Sequence, residues 1–207
     1  TAAVGLYSNY LMLSNKLLLI EQIIFSSLVA SIGNVIARDS PEKRLQIFQA
    51  MQSASFIFCG IITAGFGLLA NDVITVWLGK EYTFSMLTVI AVTVNTYFSC
   101  ALQPLWIYRD ATGLYMKTKY MMLAGAIVNI VLSVILGRFM GIAGIIFASA
   151  IARLSTYFWY EPKLLFHEYF NSRATGYYIS ILKNIGLLAC VFAALSYAFS
   201  GWVVTDW

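Results

Sequence analysis

The sequence predicts an all-α polytopic transmembrane helix bundle with about six membrane-spanning helices, and three observations carry that expectation. Six long apolar runs are separated by short joints that are polar or contain glycine. Only 11% of the 207 residues are charged and 60% are hydrophobic, against roughly 25% charged in soluble domains. The basic residues gather in alternate joints, as happens when every second joint lies on the same side of a bilayer. A mean hydropathy of +0.79 agrees, and 5 Trp, 13 Tyr and 14 Phe suit a chain with aromatic residues near both membrane surfaces.

A spanning helix needs about 20 mostly apolar residues, and the runs are 10–36, 47–70, 84–108, 119–137, 141–160 and 179–200. The first joint, Arg38-Asp39-Ser40-Pro41-Glu42-Lys43-Arg44, is basic, and Pro41 suits the first turn of the next helix because its missing N–H has no partner there anyway. The second, 71–82, has only Lys80 as a cation. The third, 109–120, contains Arg109, Lys117 and Lys119, whereas the fourth is the tight turn Gly137-Arg138-Phe139-Met140-Gly141. The fifth, about 161–178, holds Lys163 and Arg173, with Arg153 and Lys183 in the flanking helices. Within it, the mixed stretch Glu161 to Phe170 cannot span and is expected to form a short amphipathic helix begun by Pro162, lying in the membrane interface.

The positive-inside rule makes joints one, three and five cytoplasmic. The first helix then runs from outside to inside, and Trp202 and Trp207 fall at the outer interface. Residues 1–9 have no basic leader region ahead of the first apolar run, so no signal peptide is read there. The chain reads as one transmembrane domain over 1–207 that starts inside a larger protein.

Polar side chains in hydrocarbon are costly and normally face protein or a watery cavity, which makes the first helix informative. At about 100° per residue, Asn9, Lys16, Ser27, Ser31 and Asn34 share one stripe, and Ser8, Asn15, Gln22 and Ser26 share another. Glu21 lies off both, near Ser14, and is not an i,i+4 partner of Lys16. Two readings stand for Lys16, Asn15, Glu21 and Gln22: they line a pathway for a polar or anionic cargo, or they make interhelical hydrogen bonds while Lys16 snorkels to the surface. Arg153, late in the fifth run, either meets cargo or snorkels. Asn95, Gln103 and Asn129 read as helix–helix contacts, and Gly137, Gly141, Gly144, Ala148, Ser149 and Ala152 as a close-packing surface.

Other chemistry finds little support. There is no basic run that would track nucleic-acid phosphates, no phosphate loop, and no paired-carboxylate, Ser/His/Asp, Cys/His or metal-ligand spacing. The acidic residues Asp39, Glu42, Asp72, Glu81, Asp110, Glu161 and Glu168 read as single charges at loops or helix ends. Cys59, Cys100 and Cys190 lie in apolar runs and read as small buried residues. His167 lacks a positioned carboxylate or nucleophile and reads as an amphipathic surface residue. Neither an enzyme nor a cofactor is expected.

Five segments carry a family resemblance. Val4-Gly5-Leu6-Tyr7-Ser8-Asn9-Tyr10, Ala30-Ser31-Ile32-Gly33-Asn34, Trp77-Leu78-Gly79-Lys80-Glu81-Tyr82, Tyr108-Arg109-Asp110-Ala111-Thr112-Gly113-Leu114 and Trp159-Tyr160-Glu161-Pro162 resemble, in that order, the C-terminal half of Wzx-type polysaccharide-biosynthesis transporters. These belong to the multidrug/oligosaccharidyl-lipid/polysaccharide exporter superfamily. The resemblance implies a bacterial inner-membrane flippase of two pseudo-symmetric helix bundles. It would move an undecaprenyl-diphosphate-linked oligosaccharide to the outer leaflet by alternating access. It also implies a separate N-terminal lobe as partner, with membrane lipid and a polysaccharide polymerase as neighbours, and a cationic cavity to which Lys16, Arg153 and Arg109 are the candidates by chemistry. The Arg109–Asp110 pair would instead be a structural or gating salt bridge. The alternatives are a multidrug or cation-coupled exporter of the same superfamily, to which the mid-membrane Glu21 speaks, and a polytopic membrane enzyme of polysaccharide assembly.

Overall fold

The computed structural model describes residues 2–198, with side chains from residue 5 onward. Trp202, Trp207 and the end of the last predicted span lie outside the described residues. Within them the chain is helical throughout, with no strand: α1 (Ala2–Ser26), α2 (Val29–Arg38), α3 (Pro41–Leu78), a short 3-10 turn (Lys80–Tyr82), α4 (Met86–Ala101), α5 (Gln103–Thr112), α6 (Tyr115–Ser155), α7 (Tyr157–Tyr169) and α8 (Thr175–Ala198).

Four stretches are long and apolar enough to cross a membrane: Gly5–Arg38, Pro41–Leu78, Tyr115–Tyr169 and Thr175–Ala198. A fifth is the pair Met86–Ala101 and Gln103–Thr112, bent by 42°. The outward surface is correspondingly apolar, with Ile57, Ile61, Leu123, Ile130 and Leu182 all more than half exposed. In water such a face would be a liability; against lipid tails it is matched.

The third stretch is itself folded back. Gly141 (φ 59, ψ −137) interrupts α6 in a backbone region essentially confined to glycine. A Cβ on Gly144 would fall 2.2 Å from the Leu136 carbonyl oxygen, and one on Gly137 would lie 3.0 Å from Ile145. Further from the turn, Asn129 Nδ2 donates to Ser149 Oγ at 2.9 Å. In a continuous helix those two residues would stand about 30 Å apart. Residues 115–140 and 142–155 are therefore the arms of an antiparallel hairpin, and small side chains let the arms approach, as the glycine and alanine pattern predicts. The first four predicted runs and the described part of the sixth each fall on one rod, whereas the run 141–160 is broken at Thr156 between the short arm 142–155 and the start of α7.

Two of these rods bend at identifiable places. Ser26 and Ser27 turn their hydroxyls onto the carbonyls of Ile23 and Ile24, which loosens the helix between α1 and α2. Pro104 follows the break at Leu102 between α4 and α5 and supplies no N–H for the Cys100 carbonyl. By contrast α3 starts cleanly, with the Ser40 hydroxyl accepting from Lys43 N–H and Pro41 in the first turn. One expectation is corrected here: α7 starts at Tyr157, after Thr156 breaks the preceding helix (φ −123, ψ −103), and Pro162 lies inside it. Its Phe158, Glu161, Pro162, Leu165 and Phe166 are buried, the stripe of an amphipathic helix.

Joints one, three and five meet at one end of the bundle. Arg44 Nη1 donates to the Tyr169 carbonyl at 3.4 Å, and Tyr108 hydroxyl donates to the Arg44 carbonyl at 3.3 Å. Lys117 pairs with Glu168 at 2.7 Å, and Tyr169 hydroxyl donates to the Thr112 carbonyl at 3.2 Å. Phe48 centres an aromatic cluster at this end, its ring 5.2 Å from Tyr108 and 5.4 Å from both Phe166 and Phe170. At the other end, Tyr10 donates its hydroxyl to Asn71 and accepts from Phe84 N–H.

Candidate functional site

One face of α1 is covered by the bundle, with Tyr7, Leu13, Leu17 and Leu18 half-buried against the core on either side of a fully buried line. Tyr10, Ser14, Glu21 and Phe25 are buried, at the four- and seven-residue spacings that keep a single helix face. Asn15, Lys16 and Gln22 are exposed, and so are Ser8, Ser26, Ser27, Ser31 and Asn34. The structure thus brings Asn15, Lys16 and Gln22 onto the outward side of α1 and separates Glu21 from them. Between the two polar stripes stand Met12, Leu19 and Ile23, which are also exposed. The outward side of α1 is therefore amphiphilic, with a cation and amides beside bulky apolar groups.

Glu21 points inward and is 1% exposed. Its Oε1 lies 2.9 Å from Ser55 Oγ on α3, which is also 3.1 Å from the Cys100 carbonyl. One turn along α3, Gln52 Nε2 donates to the Ala101 carbonyl at 2.9 Å. These contacts have a common cause. The break before Pro104 frees carbonyls at the end of α4, and a buried carbonyl without a donor is costly, so α3 supplies a hydroxyl and an amide at the matching positions. Glu21 is attached to that repair. Sequence reasoning placed Glu21 in mid-membrane but missed Ser55 and Gln52, whose only signal is their polarity within an apolar run.

The arginines are both engaged. Arg153 donates from Nε to Tyr157 hydroxyl at 3.1 Å and from Nη1 to Ser99 Oγ at 3.4 Å. Its guanidinium lies 5.7 Å from the Trp106 ring centroid. It remains partly exposed, so its charge is held in place rather than neutralised by a carboxylate. Arg109 pairs with Asp110 at 3.1 Å and with Glu161 at 3.2 Å. The predicted Arg109–Asp110 contact thus exists, but the Asp110 side chain is 56% exposed and that of Glu161 only 2%. The buried partner is the one that matters, because screening by water leaves exposed pairs worth little. The reading of Glu161 as a single charge is corrected: it joins α7 to α5.

Asn95 and Asn129 hold helices together as expected, with Asn95 Nδ2 donating to the Ile146 carbonyl at 2.6 Å. Cys59 and Cys100 are buried, whereas Cys190 is exposed on α8, contrary to its reading as a buried residue; the neighbouring apolar side chains of α8 are exposed as well. Among the described residues no group of three or more His, Cys, Asp or Glu could hold a metal ion. No family model, curated protein or solved structure matches the chain.

Proposed function

We propose that this chain is one lobe of a flippase for undecaprenyl-diphosphate-linked oligosaccharide in the bacterial cytoplasmic membrane, working by alternating access with a second, similar bundle. The observation that carries the proposal is the outward side of α1, where Lys16 stands with Asn15 and Gln22 beside exposed Met12, Leu19 and Ile23. A lipid-linked sugar diphosphate is itself an amphiphile. It needs a cation for the diphosphate and amides for sugar hydroxyls, next to apolar surface for the first isoprene units. Lys16 is the diphosphate contact, Asn15 and Gln22 are sugar contacts, and Arg153 is a second cation held by Ser99, Tyr157 and Trp106. Arg109, committed to Asp110 and Glu161, is a structural or gating residue. No covalent step is involved: the cargo's charged end crosses in water between two bundles while its tail stays in lipid.

The test is the pool of lipid-linked oligosaccharide in cells depleted of the full-length protein and complemented with wild type or Lys16→Ala. Retention of the pool in the cytoplasmic leaflet, with surface polymer lost, and no rescue by Lys16→Ala at normal membrane levels, is the expected result. An unchanged pool in a strain without a redundant flippase overturns it. A second reading, a cation-coupled exporter of the same superfamily, rests on Glu21, a carboxyl group inside the bundle in contact with the Ser55 hydroxyl. Cation-dependent dye efflux that fails in Glu21→Gln, together with an unchanged oligosaccharide pool, would favour it.

A further inference from the structure

Two helix breaks face each other inside stretches long and apolar enough to cross the membrane. One is at Leu102, between α4 and α5, and the other at Thr156, between α6 and α7. Arg153 joins them. It stands just before the second break and reaches Ser99 and Trp106, which flank the first, as well as Tyr157 just past its own. Interrupted backbone at membrane depth persists only where protein covers it or where it lines a watery recess. All four side chains are half-buried rather than buried, so each keeps a surface that a ligand or water can reach.

The guanidinium there is fixed but not neutralised. Its Nε donates to Tyr157 hydroxyl at 3.1 Å and its Nη1 to Ser99 Oγ at 3.4 Å, and the Trp106 ring centroid lies 5.7 Å away, within cation–π range. Those partners carry no charge, and among the described residues no carboxylate pairs with Arg153. Tied at two nitrogens, the side chain is not free to snorkel to a membrane surface. Much of the rotamer freedom that an arginine gives up on binding is already gone. Neighbours that set a cation's direction and leave its charge intact prepare it for an anion. The N–H groups left over, on Nη2 and the second on Nη1, form the end of a planar fork that suits the oxygens of a phosphoryl group.

We propose that Ser99, Tyr157 and Trp106 are positioning residues that aim Arg153 at a phosphoryl group of the cargo, and that this recess between the two breaks selects a phosphorylated lipid over a neutral one. The proposal rests on the flippase reading, which supplies the diphosphate. Arginine is then not exchangeable for lysine at this position. An ammonium keeps the charge but has neither the fork nor the flat face that meets Trp106.

The test is binding by the purified full-length protein in detergent, measured with a polyprenyl diphosphate and with the corresponding polyprenol. Wild type is expected to bind the diphosphate about tenfold or more tightly than the alcohol, as a charge-assisted fork contact allows. Arg153→Lys and Arg153→Gln should remove most of that preference. Tyr157→Phe and Ser99→Ala should each reduce it about threefold, and Ser99→Thr, which keeps the hydroxyl, should retain it. Affinity for the polyprenol should stay the same in every variant, which a general loss of structure would not allow. No preference in wild type overturns the flippase reading and this inference together. A wild-type preference that Arg153→Lys, Tyr157→Phe and Ser99→Ala leave unmoved overturns the inference alone, as do equal losses for both lipids, which would make these residues structural.

Discussion

The Ser55 hydroxyl lies between the Glu21 carboxyl oxygen at 2.9 Å and the Cys100 carbonyl at 3.1 Å. A serine has one proton to give, and a backbone carbonyl can only accept. The hydroxyl proton is therefore shared between the two oxygens, and Ser55 links α1, α3 and α4 at one point.

Ser55→Ala is expected to destabilise the protein by about 1–3 kcal/mol, the cost of leaving a buried polar group unpaired. Glu21→Gln keeps the size of the side chain and a hydrogen-bonding oxygen, so its cost should be smaller. Thermal unfolding of both variants in detergent checks the order; a Glu21→Gln midpoint below that of Ser55→Ala would mean that Ser55 is not the linking group.

At Gly144 a methyl group has nowhere to go, because the nearest atom is a backbone oxygen 2.2 Å away. Gly144→Ala should force the two arms of α6 apart. With Asn129→Cys and Ser149→Cys in a Cys190→Ser background, a short thiol crosslinker is expected to join the arms, and to lose most of its yield when Gly144→Ala is added. No crosslink in the parent would mean that residues 115–155 do not fold back.

Arg109 serves one buried and one exposed carboxylate, and these should respond differently. Arg109→Gln leaves Glu161 buried with no counter-charge, at a cost of about 3–5 kcal/mol. Asp110→Asn should cost less than about 0.5 kcal/mol. Adding Glu161→Gln to Arg109→Gln should recover a large part of the loss. A double-mutant cycle by thermal unfolding measures this, and purely additive losses would mean that the 3.2 Å pair carries no coupling.

Lys16 is exposed on α1, so Lys16→Ala should leave stability within about 0.5 kcal/mol of wild type. Under the proposed function it should still reduce delivery of lipid-linked oligosaccharide to the outer leaflet about tenfold or more, read by periplasmic accessibility of the sugar. A parallel fall in membrane level and delivery would instead make Lys16 a structural residue.

Features set by single residues or by long composition runs were legible in the sequence. The apolar runs announced the rods, and Gly137 to Gly144 announced their closest approach. Pro41 announced the start of α3. Features set by register between helices were not. Glu21 and Ser55 are 34 positions apart, and Arg109 and Glu161 are 52 apart; no local pattern links either pair. Pro162 misled because a proline that often opens a helix can also lie within one when the break falls earlier, here at Thr156. The polar stripes of α1 were correctly drawn as stripes, but periodicity alone does not say which face a neighbour covers. Packing chose the line through Ser14 and Glu21.

The uninterrupted length of α3 has a mechanical consequence. Its 38 residues make a rod of about 57 Å, longer than a bilayer of about 40–45 Å with its headgroups, and its only proline is at the first position. Toward its start Phe48 packs on Tyr108, Phe166 and Phe170, two turns further Ser55 touches Glu21, and near the other end Asn71 accepts from Tyr10. A stiff rod with a contact in its middle is a lever. Pivoting α3 by about 5° around Ser55 would swing its far end by about 3 Å, so a small tilt at the Ser55–Glu21 contact would be read out as a larger displacement of that far end.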